Sequence, residues 1–528
     1  MPTLHWIGKD KVINHHQDVP YKVLDKQYTY KNGEESQETT SENKIIHGDN
    51  LEALKSLLPE YEGKVKCIYI DPPYNTGKEN WQYNDNVNDP KIKKWLGQVV
   101  GKESEDLSRH DKWLCMMYPR LKLLHKLLAD DGVIFISLDD NEISNSKAIC
   151  EEIFGTNNFI QTIIWKKRSA PPNDRVIGAT HEYILMFSKN KNNVKLYWKQ
   201  RNEVQLERYK NPDNHPKGRW IADNLMANVK GGRYVDSLYF AIVNPQNGIE
   251  HFPSSNGNWR FNKEKIKLLL ENNEIYFGKD GNGRPKLKRF LNDVKEGTPY
   301  STSWDYLPFN NSATKDILDI FGSVNEFDTP KPVKLIEEVI NLSTIKDDII
   351  LDSFAGSGTT AHAVLNLNKQ DGGNRKFILI EMEDYANTIT AERVKRVIKG
   401  YGEGTKTVEG TGGDFSFYQL GQPIFLEQDI LNEEIGIEKI QEYVWYTETK
   451  ESFIPQEESY FLGKKEDTAY YFYYQKDSIT TLDEKFLRTL KTKAKGYIIY
   501  ADNCLLTKEL MQKYNIIFKK IPRDITRF

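Results

Sequence analysis

Two parts of the chain carry short apolar runs separated by amphipathic stretches, and a long middle part does not. In the first part, Val65-Lys66-Cys67-Ile68-Tyr69-Ile70 is an apolar run ended by Asp71-Pro72-Pro73. It reads as a buried strand, stopped where prolines remove the ladder donors. A polar loop follows, over about residues 75 to 106. Ser108 and Asp111 then form a capping-box pattern, and Leu114, Met117, Leu121, Leu124 and Leu128 recur at helical spacing. Pro119 falls inside that pattern and predicts a kink or two abutting helices. Val133 to Leu138 is a second buried strand. In the later part, Pro332 to Leu342 reads as helix, Asp348 to Asp352 as strand, Thr359 to Asn366 as a helix start and Phe377 to Glu381 as strand. Strands alternating with helices predict an α/β fold.

Elsewhere the pattern is weaker. Residues 1–44 are polar and read as an arm, with a hairpin around Tyr28 to Tyr30. Between about 160 and 310, Gly, Pro and Asn are frequent and no alternation is clear. Beyond a Gly-rich passage, residues 406–528 read as an α+β unit with the aromatic strand Tyr470 to Tyr474 and a final strand-helix-strand. Charge separates the middle region from the rest. Overall, 73 Lys and Arg stand against 76 Asp and Glu. From Gln161 to Tyr234, however, 15 cations face 6 anions, an asymmetry that points to a polyanion-facing module. No run approaches the length of a membrane span, and no export signal is visible. Cys67, Cys115, Cys150 and Cys504 match neither zinc spacing nor a disulfide framework, so a reduced, cytoplasmic protein is expected.

Two motifs carry chemistry. Asp352-Ser353-Phe354-Ala355-Gly356-Ser357-Gly358-Thr359-Thr360 joins a strand to a helix, and Glu381 ends the next strand. Glycines permit a tight turn and close approach of a ligand to the amides, and an acid on the next strand can accept ribose hydroxyls. No Gly-Lys-Ser/Thr follows, so this is not a phosphate loop of the Walker type, and the full dinucleotide spacing is missing. The second motif is Asp71-Pro72-Pro73-Tyr74. Its prolines contribute carbonyl acceptors but no donors, Asp71 adds an acceptor, and Tyr74 offers a stacking face. Such a cup would hold both hydrogens of an exocyclic amine and take up positive charge developing on its nitrogen. A base in a duplex would have to be flipped out to reach it. Whether Asp71 itself takes the proton is open at this stage.

These motifs together resemble the S-adenosylmethionine-dependent amino-methyltransferases of DNA. The tetrapeptide precedes the glycine turn, with a large insertion between them, as in the circularly permuted β group. Finer matches resemble the modification subunit of type III restriction–modification systems. They include Ile46 to Leu54, Asp71 to Gly77, Asp131 to Ser137, His181 to Leu185, Phe327 to Pro332, Leu351 to Thr360 and Ile521 to Ile525. The resemblance implies a Rossmann-like mixed sheet and transfer of a methyl group to N6 of a flipped adenine in double-stranded DNA. Catalysis would fall to Asp71, Pro72, Pro73 and Tyr74. The cofactor would lie on Asp49, Asn50, Lys331, Asp352, Phe354, Ala355, Gly356, Gly358, Thr359 and Glu381. Lys331 would sit near the methionine end, and Glu381 is preferred to Glu383 for the ribose.

The implied domains are an arm (1–44), a catalytic half (45–160), a target-recognition domain (161–310), a cofactor half (311–405) and a C-terminal domain (406–528). Lys166, Lys167, Arg168 and Arg175 are candidate DNA contacts, and His181 reads as a structural residue near the pocket. No metal is expected. A homodimer and a separate helicase-nuclease subunit are the implied partners. The alternatives are an orphan methyltransferase, a cytosine-N4 methyltransferase, a non-catalytic DNA-binding subunit and a nucleotide-dependent oxidoreductase.

Overall fold

The computed structural model describes residues 3–76, 94, 97–98, 108–173, 176–227, 234–254, 257–426 and 430–526. It contains two compact units, Met1–Tyr197 with Ser301–Phe528, and Trp198–Tyr300. The larger unit is built on one eleven-stranded sheet. In chain order its strands are β1 (Lys22–Lys31), β2 (Glu34–Ser36), β3 (Lys44–His47), β4 (Val65–Ile70), β5 (Leu128–Leu138), β6 (Phe159–Lys166), β7 (His181–Ser188), β8 (Ser303–Trp304), β9 (Ile349–Asp352), β10 (Lys376–Glu381) and β11 (Asp414–Pro423). Their spatial order is β8-β6-β7-β5-β4-β9-β10-β3-β11-β1-β2. From β5 to β11 all neighbours are parallel, and β7 and β1 join the two flanks antiparallel. This is an α/β, Rossmann-like mixed sheet.

The centre of the sheet reads as it does because both faces are covered. Every residue of β4 is buried, and β10 is buried from Phe377 onward. Continuous apolar runs, rather than alternation, mark such strands. The covering helices are α1 (Asn50–Tyr61), α2 (Arg109–Leu127), α3 (Ile143–Phe154), α4 (Val333–Ser343), α5 (Thr359–Asp371) and α6 (Glu392–Lys399). Ser108 and Asp111 cap α2 reciprocally, as their spacing predicts. Pro119 does not divide α2: the helix runs through it. Its flanking residues, Met116 to Leu121, are all buried, and that packing offsets the roughly 3 kcal/mol cost of an interior proline.

Three expected boundaries shift. Residues 1–44 are no mere arm: β1 pairs with β11 from Lys22↔Pro423 to Lys31↔Asp414, and Tyr28 stacks on Phe417 at 5.3 Å. The hairpin at Tyr28 to Tyr30 is present as β1 and β2. Residues 161–197 and 301–310 belong to the large unit, because β6, β7 and β8 extend its sheet. The separate unit narrows to Trp198–Tyr300, with its own core of Leu225, Ile242, Trp259, Ile266, Leu269, Ile275 and Phe277. Residues 406–528 share the large unit, since β11 lies inside its sheet. The C-terminal residues also form a four-stranded sheet that includes Thr468–Phe472 and ends in strand Gly496–Ala501, helix Lys508–Lys513 and strand Ile516–Lys520. Among the described residues no helix is long and apolar enough to cross a membrane.

Candidate active site

Parallel strands β4 and β9 are neighbours, and each ends in an aspartate. Asp71 follows β4 and Asp352 closes β9. The carboxyl ends of neighbouring parallel strands are where open α/β sheets bind ligands. A small cavity is lined by Asp71 on one side and by Asp352, Phe354, Ala355, Gly356 and Thr359 on the other. The two motifs, 281 residues apart from Asp71 to Asp352, therefore meet in one cavity. Its third wall is Phe327 with Thr329-Pro330-Lys331. Thr329 has φ 52°, a strained conformation for a β-branched residue.

The tetrapeptide is held from behind. The Trp113 indole N–H donates to the Pro73 carbonyl at 2.7 Å, which takes up one of the two lone pairs of that oxygen. Asn75 takes φ 58° and its amide donates to the buried Glu142, which also meets His110 Nδ1 at 2.7 Å. Asn tolerates this left-handed conformation, so the chain can turn immediately after Tyr74. Tyr74 is itself buried, and its hydroxyl lies 2.8 Å from Asp71 Oδ1 and 3.1 Å from Glu182 Oε2. Lys331 Nζ donates to Asp71 Oδ2 at 2.7 Å, is 3.7 Å from Glu182 Oε2 and lies 5.0 Å from the Tyr74 ring centroid. Burial pushes Asp71 above the usual carboxylate range, against the pull of Lys331. Burial would also raise Glu182, but the ammoniums of Lys331 and Lys167 reverse this and hold it low. Lys331, pulled down by burial, is raised on balance by the two carboxylates.

The glycine turn is tied by its own residues. Asp352 accepts the Phe354 N–H at 3.0 Å and the Thr360 hydroxyl at 2.6 Å. Burial pushes its carboxyl up to about 7. Gly356 and Gly358 have φ 53° and 81°, and a Cβ on Gly358 would stand 3.0 Å from the Thr390 carbonyl. Glycine is the residue for both demands. Contrary to the expected amide cradle, several amides already have partners. Ala355 N–H donates to Ile380, Gly356 N–H to Glu381 Oε2 at 2.8 Å, and Gly358 N–H to Ala355. Glu381 Oε1 also accepts the Glu383 N–H at 3.0 Å.

A DNA methylase family pattern matches residues 65–392. The Mod subunit of the type III restriction–modification enzyme StyLTI from Salmonella typhimurium is 38% identical over 65% of this chain and 54% of its own length. The EcoP15I Mod subunit of Escherichia coli is 31% identical over 72% and 64%. The EcoPI Mod subunit of Escherichia phage P1 is 32% identical over 75% of this chain and 68% of that one. The chain belongs to the DNA methylase family, among the type III modification subunits. It spans between about half and two thirds of the length of these relatives.

In this member of the family the remaining expected cofactor residues have visible structural tasks. Asp49 caps α1, accepting from Leu51 and Glu52, and lies 3.6 Å from the buried Arg120. Asn50 is buried and links Arg120 to the Ser353 carbonyl. The Ser353 hydroxyl, in the same turn, is buried without a partner. Thr359 Oγ1 accepts from Arg393 at 2.9 Å. Lys331, expected at the methionine end of a cofactor, lines the same cavity and pairs with Asp71.

Sequence reasoning missed three residues of the site. Glu182 had a visible signal, an acid inside the apolar strand Tyr183 to Phe187 continues. Arg393 had none. Its guanidinium is fully buried beneath the turn, donating to Ser357 at 2.7 Å and to Thr359, with Nε unpartnered. Trp113 was hidden among the apolar positions of α2. Among the candidate DNA contacts, Lys167 is bound to Glu182 at 3.0 Å, Lys166 lies 5.9 Å from the Phe309 ring centroid, and Arg168 is exposed. Arg175 lies outside the described residues. His181 meets the Tyr183 hydroxyl at 3.0 Å, which in turn donates to Asp140.

Proposed function

We propose that this methylase transfers a methyl group from S-adenosylmethionine to N6 of a flipped adenine in duplex DNA, as the modification and recognition subunit of a type III system. One observation carries the catalytic part: a cationic nitrogen, Lys331 Nζ, already lies against Asp71 and near the face of Tyr74. The chemistry requires a pocket that favours such a nitrogen. Adenine's exocyclic amine is a weak nucleophile because its lone pair is delocalised into the ring. Asp71 and the Pro72 carbonyl would accept its two hydrogens, favour a pyramidal nitrogen and stabilise the developing positive charge. The Tyr74 face would replace the stacking lost on flipping. Burial raises Asp71, which suits a group that meets the proton leaving the amine.

Bound S-adenosylmethionine would supply an electrophilic methyl group. Glu381, bonded to the Gly356 amide of the turn, would accept from its ribose hydroxyls, and Phe354 lines the same turn. Unit Trp198–Tyr300 carries 18 Lys and Arg against 12 Asp and Glu and exposes Tyr234, Tyr239 and Phe252. That combination supports target recognition, with cations on phosphates and a minority of polar groups on base edges. A homodimer, a helicase-nuclease partner and a cytoplasmic location belong to the same reading. The test is transfer of labelled methyl from the cofactor to genomic DNA lacking modification, with the product base identified. N6-methyladenine at one sequence motif is expected. N4-methylcytosine as the product, or no incorporation, would overturn the reading.

A further inference from the structure

The target amine and Lys331 compete for the same oxygen atoms. Both Asp71 oxygens are engaged, Oδ1 by the Tyr74 hydroxyl and Oδ2 by the Lys331 ammonium. The ammonium also lies within cation–π distance of the ring on which a base would stack. The ammonium thus takes the place beside Asp71 and over that ring, so a base stacked on Tyr74 must displace Lys331 to reach Asp71. Releasing a buried ammonium without a second acceptor would leave an unpaired buried charge. The second acceptor is at hand. Glu182 Oε2 is 3.1 Å from the Tyr74 hydroxyl and 3.7 Å from Lys331 Nζ. Its other oxygen is held at 3.0 Å by Lys167. The single phenolic proton can satisfy only one carboxylate at a time, so Tyr74 already stands between two acceptors.

We infer that Glu182 is a positioning residue for methyl transfer: it receives the Lys331 ammonium and the Tyr74 hydroxyl when the target amine takes Asp71. The free pocket is thereby kept closed on a cation of its own, and opening is a transfer between two carboxylates. This inference rests on the methyltransferase reading above. Glu182 lies on β7, Asp71 follows β4, and Lys331 precedes α4, so three separate parts of the fold supply the exchange.

The experiment compares the wild-type chain with Glu182→Gln and with Glu182→Gln/Lys331→Met, in single-turnover transfer of labelled methyl to duplex DNA at saturating cofactor. Cofactor affinity is measured in parallel. Glu182→Gln should lower the transfer rate by about tenfold or more while cofactor affinity stays within about threefold. Adding Lys331→Met should recover part of that loss, because the ion competing for Asp71 is gone. A residue with a purely structural role would give no such recovery. A Glu182→Gln rate equal to wild type, or a double variant no faster than the single one, overturns the inference. Should Glu182→Gln fail to fold, Lys167→Met carries the test at saturating DNA. Among the described residues it leaves Lys331 as the one ammonium within 4 Å of Glu182, and the rate should rise about twofold or more, whereas an unchanged or lower rate overturns the inference. Absence of transfer by the wild-type chain on any DNA would instead count against the methyltransferase reading.

Discussion

Asp71 and Asp352 end neighbouring strands, are both buried, and are both raised by that burial. They differ in what holds them. Asp352 is bound by Phe354 and Thr360, two and eight residues away in the chain. Asp71 is bound by Tyr74 nearby but also by Lys331, 260 residues away. Asp352 shapes a turn from local sequence, so it holds its place whatever else the site does. Asp71 is held by partners that other elements bring to it, and those partners can be exchanged. The two aspartates are distinguished here by the sequence distance of their partners.

That contrast can be broken most directly at Asp71. Asp71→Ala should reduce methyl transfer by about a thousandfold or more, equivalent to roughly 4 kcal/mol, with cofactor affinity nearly unchanged. Calorimetric titration beside a transfer assay would check both halves, and a chain that fails to fold would make Asp71 a structural residue like its neighbour. Asp352→Ala should do the opposite. It strands the buried Thr360 hydroxyl and Phe354 N–H, so unfolding free energy should fall by about 2–4 kcal/mol and cofactor affinity should fall with it. Denaturant unfolding measures the first, and an undiminished stability would contradict the local role.

Trp113→Phe keeps an aromatic ring but removes the indole N–H that donates to the Pro73 carbonyl. A stability loss of about 1–2 kcal/mol is expected, with a rate loss larger than any change in cofactor affinity. Equal losses in rate and affinity would mean that Trp113 supports the whole cavity rather than the tetrapeptide.

The smallest effect sharpens the comparison through pH. The folded Asp352 is raised to about 7, above its unfolded value near 3.9, so the fold favours its protonated form. Relative to Asp352→Asn, wild-type stability should therefore be greatest below about pH 4 and should decline as pH rises towards 7. A difference that stays flat across that window would show the carboxyl to be ionised throughout.

Much of this site was readable from local pattern. The strand that ends at Asp71, the turn from Asp352 to Thr360 and the acid at Glu381 each sit in a few contiguous residues whose backbone demands are local. The cap at Ser108 is of the same kind. The flanking strands β6 and β7 were not readable as part of the main sheet, because antiparallel strands without connecting helices break the strand-helix alternation. The segment 1–44 was misread for a related reason. Only pairing with β11, nearly 400 residues on, gives its polar sequence a place in a sheet. Arg393 leaves no local trace, since a buried guanidinium is permitted only by hydroxyl and ring partners assembled from elsewhere.

The amino-acid sequence alone determined which chemistry the molecule carries: an acceptor-rich tetrapeptide, a glycine turn and an acid, each set by short-range backbone geometry. Tertiary structure alone decided that Lys331 and Glu182 share Asp71, that Trp113 takes the Pro73 carbonyl, and that the middle unit is narrower than its composition implied. Ion pairs and sheet edges are satisfied across space, and the energy of burying a charge depends on neighbours that chain order does not name.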